Sequence, residues 1–173
     1  MKKLSMEDLN RLSKEEFKNA DKKKIIVILD NIRSMHNVGS VFRTSDAFAI
    51  EKIMLCGITA QPPHREIEKA ALGATESVDW EYHPKTLDIV NQLKAEGYII
   101  ISIEQAENSV FLQNFETKVE EKYAIVFGNE VEGVQQEVIN ASDYCIEIPQ
   151  FGTKHSFNVS VCAGIVLWEI STP

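Results

Sequence analysis

Short apolar runs, rich in β-branched residues, recur along the chain from residue 25 onward: IIVIL at 25–29, KIMLC at 52–56, SVDWEY at 77–82, YIIISI at 98–103, YAIVF at 123–127 and YCIEI at 144–148. Most are continuous rather than alternating, which is the pattern of strands covered on both faces. Between them the apolar spacing becomes helical, at 37–49, 84–96, 133–141 and 156–170. Alternation of such strands with helices predicts an α/β fold, a mainly parallel sheet with helices on both faces. Residues 1–24 read instead as two short helices, with Ser5 and Asp8, then Ser13 and Glu16, at capping-box spacing. The expected organisation is a short helical segment over 1–24, either an arm or a packed appendage, followed by one domain over 25–173.

Composition agrees with an ordinary globular domain: 173 residues, 44% hydrophobic and 25% charged. Cys56, Cys145 and Cys162 form no C-x-x-C pair and have no histidine at metal-ligand spacing, so buried thiols in a reducing compartment and no metal are expected. The opening MKKLSMEDLNRL turns charged too soon for a signal sequence, and the apolar run from Phe157 to Trp168 is too short to span a bilayer. A cytoplasmic location without membrane contact is the expectation. The net charge of −8 argues against a general polyanion binder, but it is regional. Residues 104–147 hold ten Asp/Glu against two Lys, whereas residues 1–24 hold eight Lys/Arg against five Asp/Glu. A neutral or basic face therefore remains open.

Ligands of parallel sheets gather beyond the carboxyl ends of the strands. Three stretches there are rich in Gly, Asn and charge: DNIRSMHNVGSVFRTSDAF after the first strand, GNEVEGV after the fifth and IPQFGTKHSFN after the sixth. In the first, Asn37 and Gly39 are read as opening a helix that carries Arg43 at or near the mouth of a site, although an ion pair with Asp46 on a solvated helix is an alternative. In the second, Gly128 turns the chain and Asn129 and Glu130 stand at the strand's end, either as helix-capping partners or as functional groups. Gly133 is read as opening the next helix. In the third, Ser156 and Asn158 sit where a helix N-cap belongs, while Gly152, Lys154 and His155 make a loop suited to an anion or a polar cofactor edge. G-x-G-x-x-G after the first strand, G-x-x-x-x-G-K-[ST], G-x-S-x-G and H-E-x-x-H are all missing, which weakens dehydrogenase, P-loop, common hydrolase and zinc-protease readings.

The ordered set N-x-G-S-x-x-R-T-x-D-A-F, F-G-N-E-x-x-G-V and I-P-x-x-G-x-x-x-S-x-N-V-S-V resembles the three motifs of the TrmH/SpoU branch of the SPOUT methyltransferases, across residues 25–170. The resemblance implies an α/β knot with a C-terminal trefoil, S-adenosyl-L-methionine bound in it, a homodimer, and methylation of a ribose 2′-hydroxyl in tRNA or rRNA. It implies catalytic roles for Asn37, Arg43, Glu130, Ser156 and Asn158. It implies a cofactor pocket formed by Ile103, Glu104, Gln105, Phe127, Gly128, Asn129, Gly133, Ile148, Ser156, Asn158 and Val159, and RNA contacts by Arg33, Arg43, Arg65 and Lys154. Phe157 departs from the family's more frequent Leu, and no long basic extension accompanies the motifs. A base methyltransferase of the same fold and a non-catalytic nucleotide- or RNA-binding knot are the alternatives. The final helix, apolar nearly all round with Ser160 and Gly164 four apart, is expected at the homodimer interface.

Overall fold

The computed structural model describes residues 1–5 and 7–172. Seven strands form one sheet: β1 (Lys23–Asp30), β2 (Ile50–Cys56), β3 (Asp79–His83), β4 (Tyr98–Ile103), β5 (Val110–Phe111), β6 (Lys122–Phe127) and β7 (Tyr144–Glu147), in the order β3-β2-β1-β6-β4-β7-β5. Every strand pairing is parallel, so the sheet is wholly rather than mainly parallel. All the strands therefore end at one edge. Leu29 pairs with Phe127, Phe127 with Ile103 and Ile103 with Ile146, which sets the ends of β1, β6, β4 and β7 side by side. Chain order reverses between β1 and β6, and the crevice at such a reversal is where ligands of this architecture bind.

The continuous apolar runs are buried on both faces because side chains alternate across the sheet. Ile25, Val27 and Leu29 meet Val38, Val41 and Phe42 of α2 (Met35–Ala47), Ile67 of α3 (Arg65–Ala71) and Val166 and Leu167 of α7 (Val159–Ser171). Ile26 and Ile28 face the other way, toward Ile89, Val90 and Leu93 of α5 (Thr86–Ala95) and Val138 of α6 (Gln136–Ala141). Helices thus cover both faces, as the pattern predicts. The short α4 (Ala74–Ser77) follows α3 across Leu72 and Gly73, both left-handed, which divide that stretch into two pieces too brief to announce themselves by periodicity. None of the described helices is long and apolar enough to cross a membrane.

Within the N-terminal segment, α1 (Lys14–Asn19) packs against the rest of the chain. Ser13 and Glu16 make the predicted capping box on α1, Phe17 packs on the core, and Lys14 pairs with Glu76 at the start of the next layer. Ser5 and Asp8 also bond reciprocally, ahead of a single 3-10 turn at Glu7–Leu9 rather than an α-helix.

Three helix starts differ from the sequence reading. Ser34, not Asn37, caps α2, and its hydroxyl accepts the Asn37 N–H at 3.2 Å. Gly39 has a packing role instead: a Cβ there would strike the Ile67 carbonyl and Ala70, so its absence lets α3 lie against α2. Gly133 does not open a helix, since α6 starts at Gln136, and its N–H is bonded to the Asn129 carbonyl at 2.9 Å. At the last helix Asn158 is the N-cap, accepting the Ser160 N–H at 2.9 Å, while Ser156 lies outside in the loop.

Candidate functional site

A cavity of about 840 Å³ opens beyond the ends of β4, β6 and β7. Its wall is made by the three loops that follow those strands. From the predicted cofactor set, Ile103, Glu104, Gln105, Phe127, Gly128, Asn129, Gly133, Ile148, Ser156 and Val159 all line it, together with Glu130; Asn158 does not. The sequence reading missed Val134, Ile146, Glu147 and Gln150, which also line it, while His155, read there as part of a loop suited to a polar cofactor edge, lines it too. Adjacency to the three loops was the available signal.

The lining is chemically one-sided. Ile103, Phe127, Ile146, Ile148 and Val159 supply apolar wall, and Glu104, Glu107, Glu130, Glu132 and Glu147 supply carboxylates, with no Lys or Arg among the lining residues. Cys162 also faces the cavity, and burial pushes its thiol up to about 12, so it stays neutral and non-nucleophilic near pH 7. Glu104 braces two of the loops: one oxygen accepts the Gln105 N–H at 2.8 Å and the other the Val134 N–H at 3.1 Å. Gly133, at φ +71°, makes this possible, because any side chain there would collide with the Glu104 carboxylate.

Beside the cavity, at the β1/β6 crevice, a chain of hydrogen bonds joins the three motif loops. Glu130 accepts from the backbone N–H groups of Arg33 and Ser34 and from the Asn37 side-chain amide, each at 3.1 Å. The Asn158 side-chain amide donates to the Asn37 side-chain oxygen (Oδ1) at 3.1 Å, and the Asn158 Oδ1 takes the Ser160 N–H and hydroxyl. On the other side Asn129 donates to the Asn31 carbonyl at 2.6 Å and accepts the N–H groups of Val131 and Glu132. Partial burial disfavours the charged form of Glu130. The N–H groups of Arg33, Glu130 itself and Ser34, with the Asn37 amide, outweigh that and hold its carboxyl below the usual range. Glu130 is therefore an ionised anchor for the start of α2. Beneath it, fully buried Asp30 accepts from Thr86 at 2.5 Å, Asn31 at 2.9 Å and the Gln135 N–H at 3.1 Å, tying β1 to the approach of α6.

Arg43 stands apart. It is exposed on α2, is not among the cavity-lining residues, and makes no ion pair among the described residues. Asp46, its alternative partner, accepts instead from the Ser77 hydroxyl at 2.5 Å. The apolar residues around Arg43 do not place it at the cavity mouth: Val41 and Phe42 point to the core while Arg43 points to solvent. Ser156 is exposed on the cavity wall without a side-chain hydrogen bond among the described residues. Arg33, Arg65 and Lys154 are exposed as well.

Comparison with known proteins follows this geometry. The model of the SpoU rRNA Methylase family matches residues 24–168. A Staphylococcus aureus protein named for the TrmH family of tRNA/rRNA methyltransferases is 30% identical over 145 residues, covering 84% of this chain and 57% of its own length. The Mus musculus tRNA (guanosine(18)-2'-O)-methyltransferase TARBP1 is 31% identical over 148 residues, 84% of this chain and 9% of that protein. Among solved structures, the AdoMet-bound rRNA methyltransferase from Sinorhizobium meliloti superposes with a TM-score of 0.80 at 26% identity, covering 88% of this chain and 58% of that one. The chain thus spans just over half the length of the Staphylococcus relative it matches, 57%.

Proposed function

The chain belongs to the SpoU rRNA methylase family, and from that premise we propose that it transfers a methyl group from S-adenosyl-L-methionine to a ribose 2′-hydroxyl of tRNA or rRNA. The observation that carries this reading is the cavity at the ends of β4, β6 and β7, which gathers loops of the second and third motifs next to the first. Its composition suits the cofactor. A volume of about 840 Å³ is within the usual range for small-molecule sites, the apolar wall suits an adenine, and the surplus of carboxylates suits a sulfonium and an ammonium. The residues that would hold it are Ile103 to Gln105, Phe127 to Asn129, Gly133, Ile148, Ser156 and Val159. When bound, the cofactor supplies a methyl already activated on positive sulfur.

What remains for the protein is alignment of the 2′-oxygen and management of its proton. Glu130 is a poor candidate for the base, because its oxygens are committed to three donors and its basicity is lowered. Its role is to fix the first turn of α2, and through Asn37 and Asn158 to fix the start of α7. Arg43 sits on α2 outside the cavity, which gives it to the acceptor rather than to the cofactor. A guanidinium is a poor proton acceptor, so Arg43 orients the 2′-oxygen and stabilises its developing negative charge. Ser156, free on the cavity wall, is the hydroxyl best disposed to meet the acceptor.

The same reading includes a homodimer formed through α7. Its Val161, Ile165 and Trp168 lie on one stripe and are solvent-exposed, Trp168 at 60%. A Cβ on Gly164 would meet nothing within 4 Å, so no contact among the described residues accounts for that glycine. A second copy supplies both the missing cover and the close approach.

Calorimetry tests the cofactor assignment. The account expects binding of S-adenosyl-L-methionine without added metal and none of NAD; preference for NAD, or no binding of either S-adenosyl-L-methionine or its demethylated product, overturns it. An RNA carrying a 2′-deoxy group at the target nucleotide should bind and accept no methyl. Methylation of that RNA would move the assignment to a base.

A further inference from the structure

The loops on the carboxyl edge of the sheet differ in charge from one half to the other. On the cavity side the loops after β4 and β6 (104–109 and 128–135) carry Glu104, Glu107, Glu130 and Glu132 and no Lys or Arg, while the loop after β7 (148–158) carries Lys154 and no carboxylate. The loops after β1, β2 and β3 (31–34, 57–64 and 84–85) hold Arg33 and Lys85 and no carboxylate, and Arg65 opens α3 directly after the second of them, followed by Glu66. All four histidines of the chain, His36, His64, His83 and His155, lie in or at the ends of loops on this edge.

The loops after β1, β2 and β3 are one hydrogen-bonded platform. The Ile58 N–H donates to the Asn31 side chain at 3.1 Å, the Gly57 N–H to the His83 carbonyl at 3.0 Å and the Tyr82 hydroxyl to the Gly57 carbonyl at 3.0 Å. Glu130 then joins the platform to the cavity side through the Arg33 N–H. Two apolar groups stand open on it: Ile58, 63% exposed, and the Tyr82 ring, 40% exposed and steadied by its hydroxyl bond. Arg33, Arg65 and Lys85, in these loops or at their ends, are exposed.

We propose that this half of the edge is an RNA-docking surface, which holds a single-stranded segment with its phosphates on Arg33, Arg65 and Lys85 and a base stacked on Tyr82 beside Ile58. The inference rests on the methyltransferase reading and adds to it the direction of approach. Cations interleaved with an open aromatic are the pattern that binds single strands, phosphates supplying charge attraction and bases supplying a stacking face. The acidic loops after β4 and β6 repel phosphate and stay available to a cationic cofactor. With strands about 4.8 Å apart, the platform extends roughly 10 Å from β3 to β1, and its inner end is the β1/β6 crevice where Asn37 and Glu130 stand. A strand laid along it delivers a ribose to the cofactor cavity.

The test is fluorescence anisotropy of the full chain with a labelled tRNA and a labelled single-stranded oligoribonucleotide, as a function of salt. Arg65→Ala combined with Lys85→Ala should flatten the salt slope by about 1.4, which is about 25-fold in affinity at 0.1 M salt relative to 1 M. Tyr82→Ala should weaken binding about 5- to 150-fold, the range for losing one stacked base, and Tyr82→Phe should retain most of it. Lys23→Ala with Lys122→Ala, at the opposite edge, is the charge-matched control and should change little. Unaltered S-adenosyl-L-methionine affinity and melting temperature show that the variants are folded. Equal losses in edge and control variants overturn the proposal, as does an acidic polypeptide such as polyglutamate competing as well as RNA, which would make the platform a protein-docking site. If the wild type methylates RNA while the edge variants bind it normally, the surface is wrong and the activity stands. If RNA binds at this edge but is never methylated, the activity is wrong and the surface stands.

Discussion

Glu130 illustrates how one side chain can tie together the start of a helix. Its two oxygens hold Arg33, Ser34 and Asn37, and replacing it by Gln leaves one acceptor where two were used. Glu130→Gln should cost about 1 to 3 kcal/mol of stability and lower methyl transfer, because the first turn of α2 loses a charge-assisted tie. Its carboxyl is held below the ordinary 4.5, so the sign of the pH dependence is fixed. The stability it contributes is fully present above that value and fades as pH falls through the lower folded value. The difference in unfolding free energy between wild type and Glu130→Gln should be flat above about pH 5 and shrink below it; a difference that grows in acid contradicts the assignment. For Arg43, removal to Ala should lower methyl transfer by at least about two orders of magnitude with cofactor affinity unchanged, and Lys should not rescue it. Near-wild-type turnover in either variant would reduce Arg43 to a solvated helix residue.

Residue spacing could reveal part of this and not the rest. Asn158 as a cap is a local matter, a side chain bonded two residues along, and the sequence reading found it. Asn37 to Glu130 and Asn37 to Asn158 are separated by 93 and 121 positions, and only the resemblance to a known family connected them. The sequence reading puts Arg43 at or near the mouth of a site, partly because its neighbours are apolar; those neighbours are the core face of an amphipathic helix whose other face carries the arginine.

At the level of elements, α7 is the most exposed to test. Its composition is apolar nearly all round, and the structure resolves that into a buried face (Ala163, Val166, Leu167, Ile170) and an open stripe (Val161, Ile165, Trp168). Ser160 is a poor probe of the interface, since its hydroxyl bonds the Asn158 cap at 2.7 Å. Ile165→Glu is the better one: it places a charge on the open stripe and leaves the monomer core alone. Light scattering should show a wild-type dimer and an Ile165→Glu monomer with unchanged helical circular dichroism; a wild-type monomer at micromolar concentration ends the dimer proposal. The loop between β6 and α6 offers a second test. Gly133→Ala meets both a left-handed φ of +71° and the Glu104 carboxylate, so it should destabilise by more than about 1 kcal/mol and weaken cofactor binding together. Cofactor affinity equal to wild type would mean the Glu104 brace does not shape the cavity. The strands were legible because parallel burial writes itself as continuous apolar runs. The two-residue β5 and the divided α3 and α4 carry too few residues for any period to register.

Across the whole molecule, a single parallel sheet sends every strand to one edge, and that edge holds the cavity proposed for the cofactor, the Asn37–Glu130–Asn158 network and the platform around Tyr82. Charge is distributed to match, with acid around the cavity and cations beside it. The central claim is that this arrangement methylates ribose. The most direct measurement is nucleoside mass analysis of bulk tRNA and rRNA, taken from cells lacking the protein and incubated with the purified chain and S-adenosyl-L-methionine bearing a deuterated methyl. The account predicts a labelled nucleoside whose deuterated methyl stays with the ribose on fragmentation, and its absence with Arg43→Ala. Label that fragments with the base, or no labelled nucleoside in any RNA fraction, would contradict it.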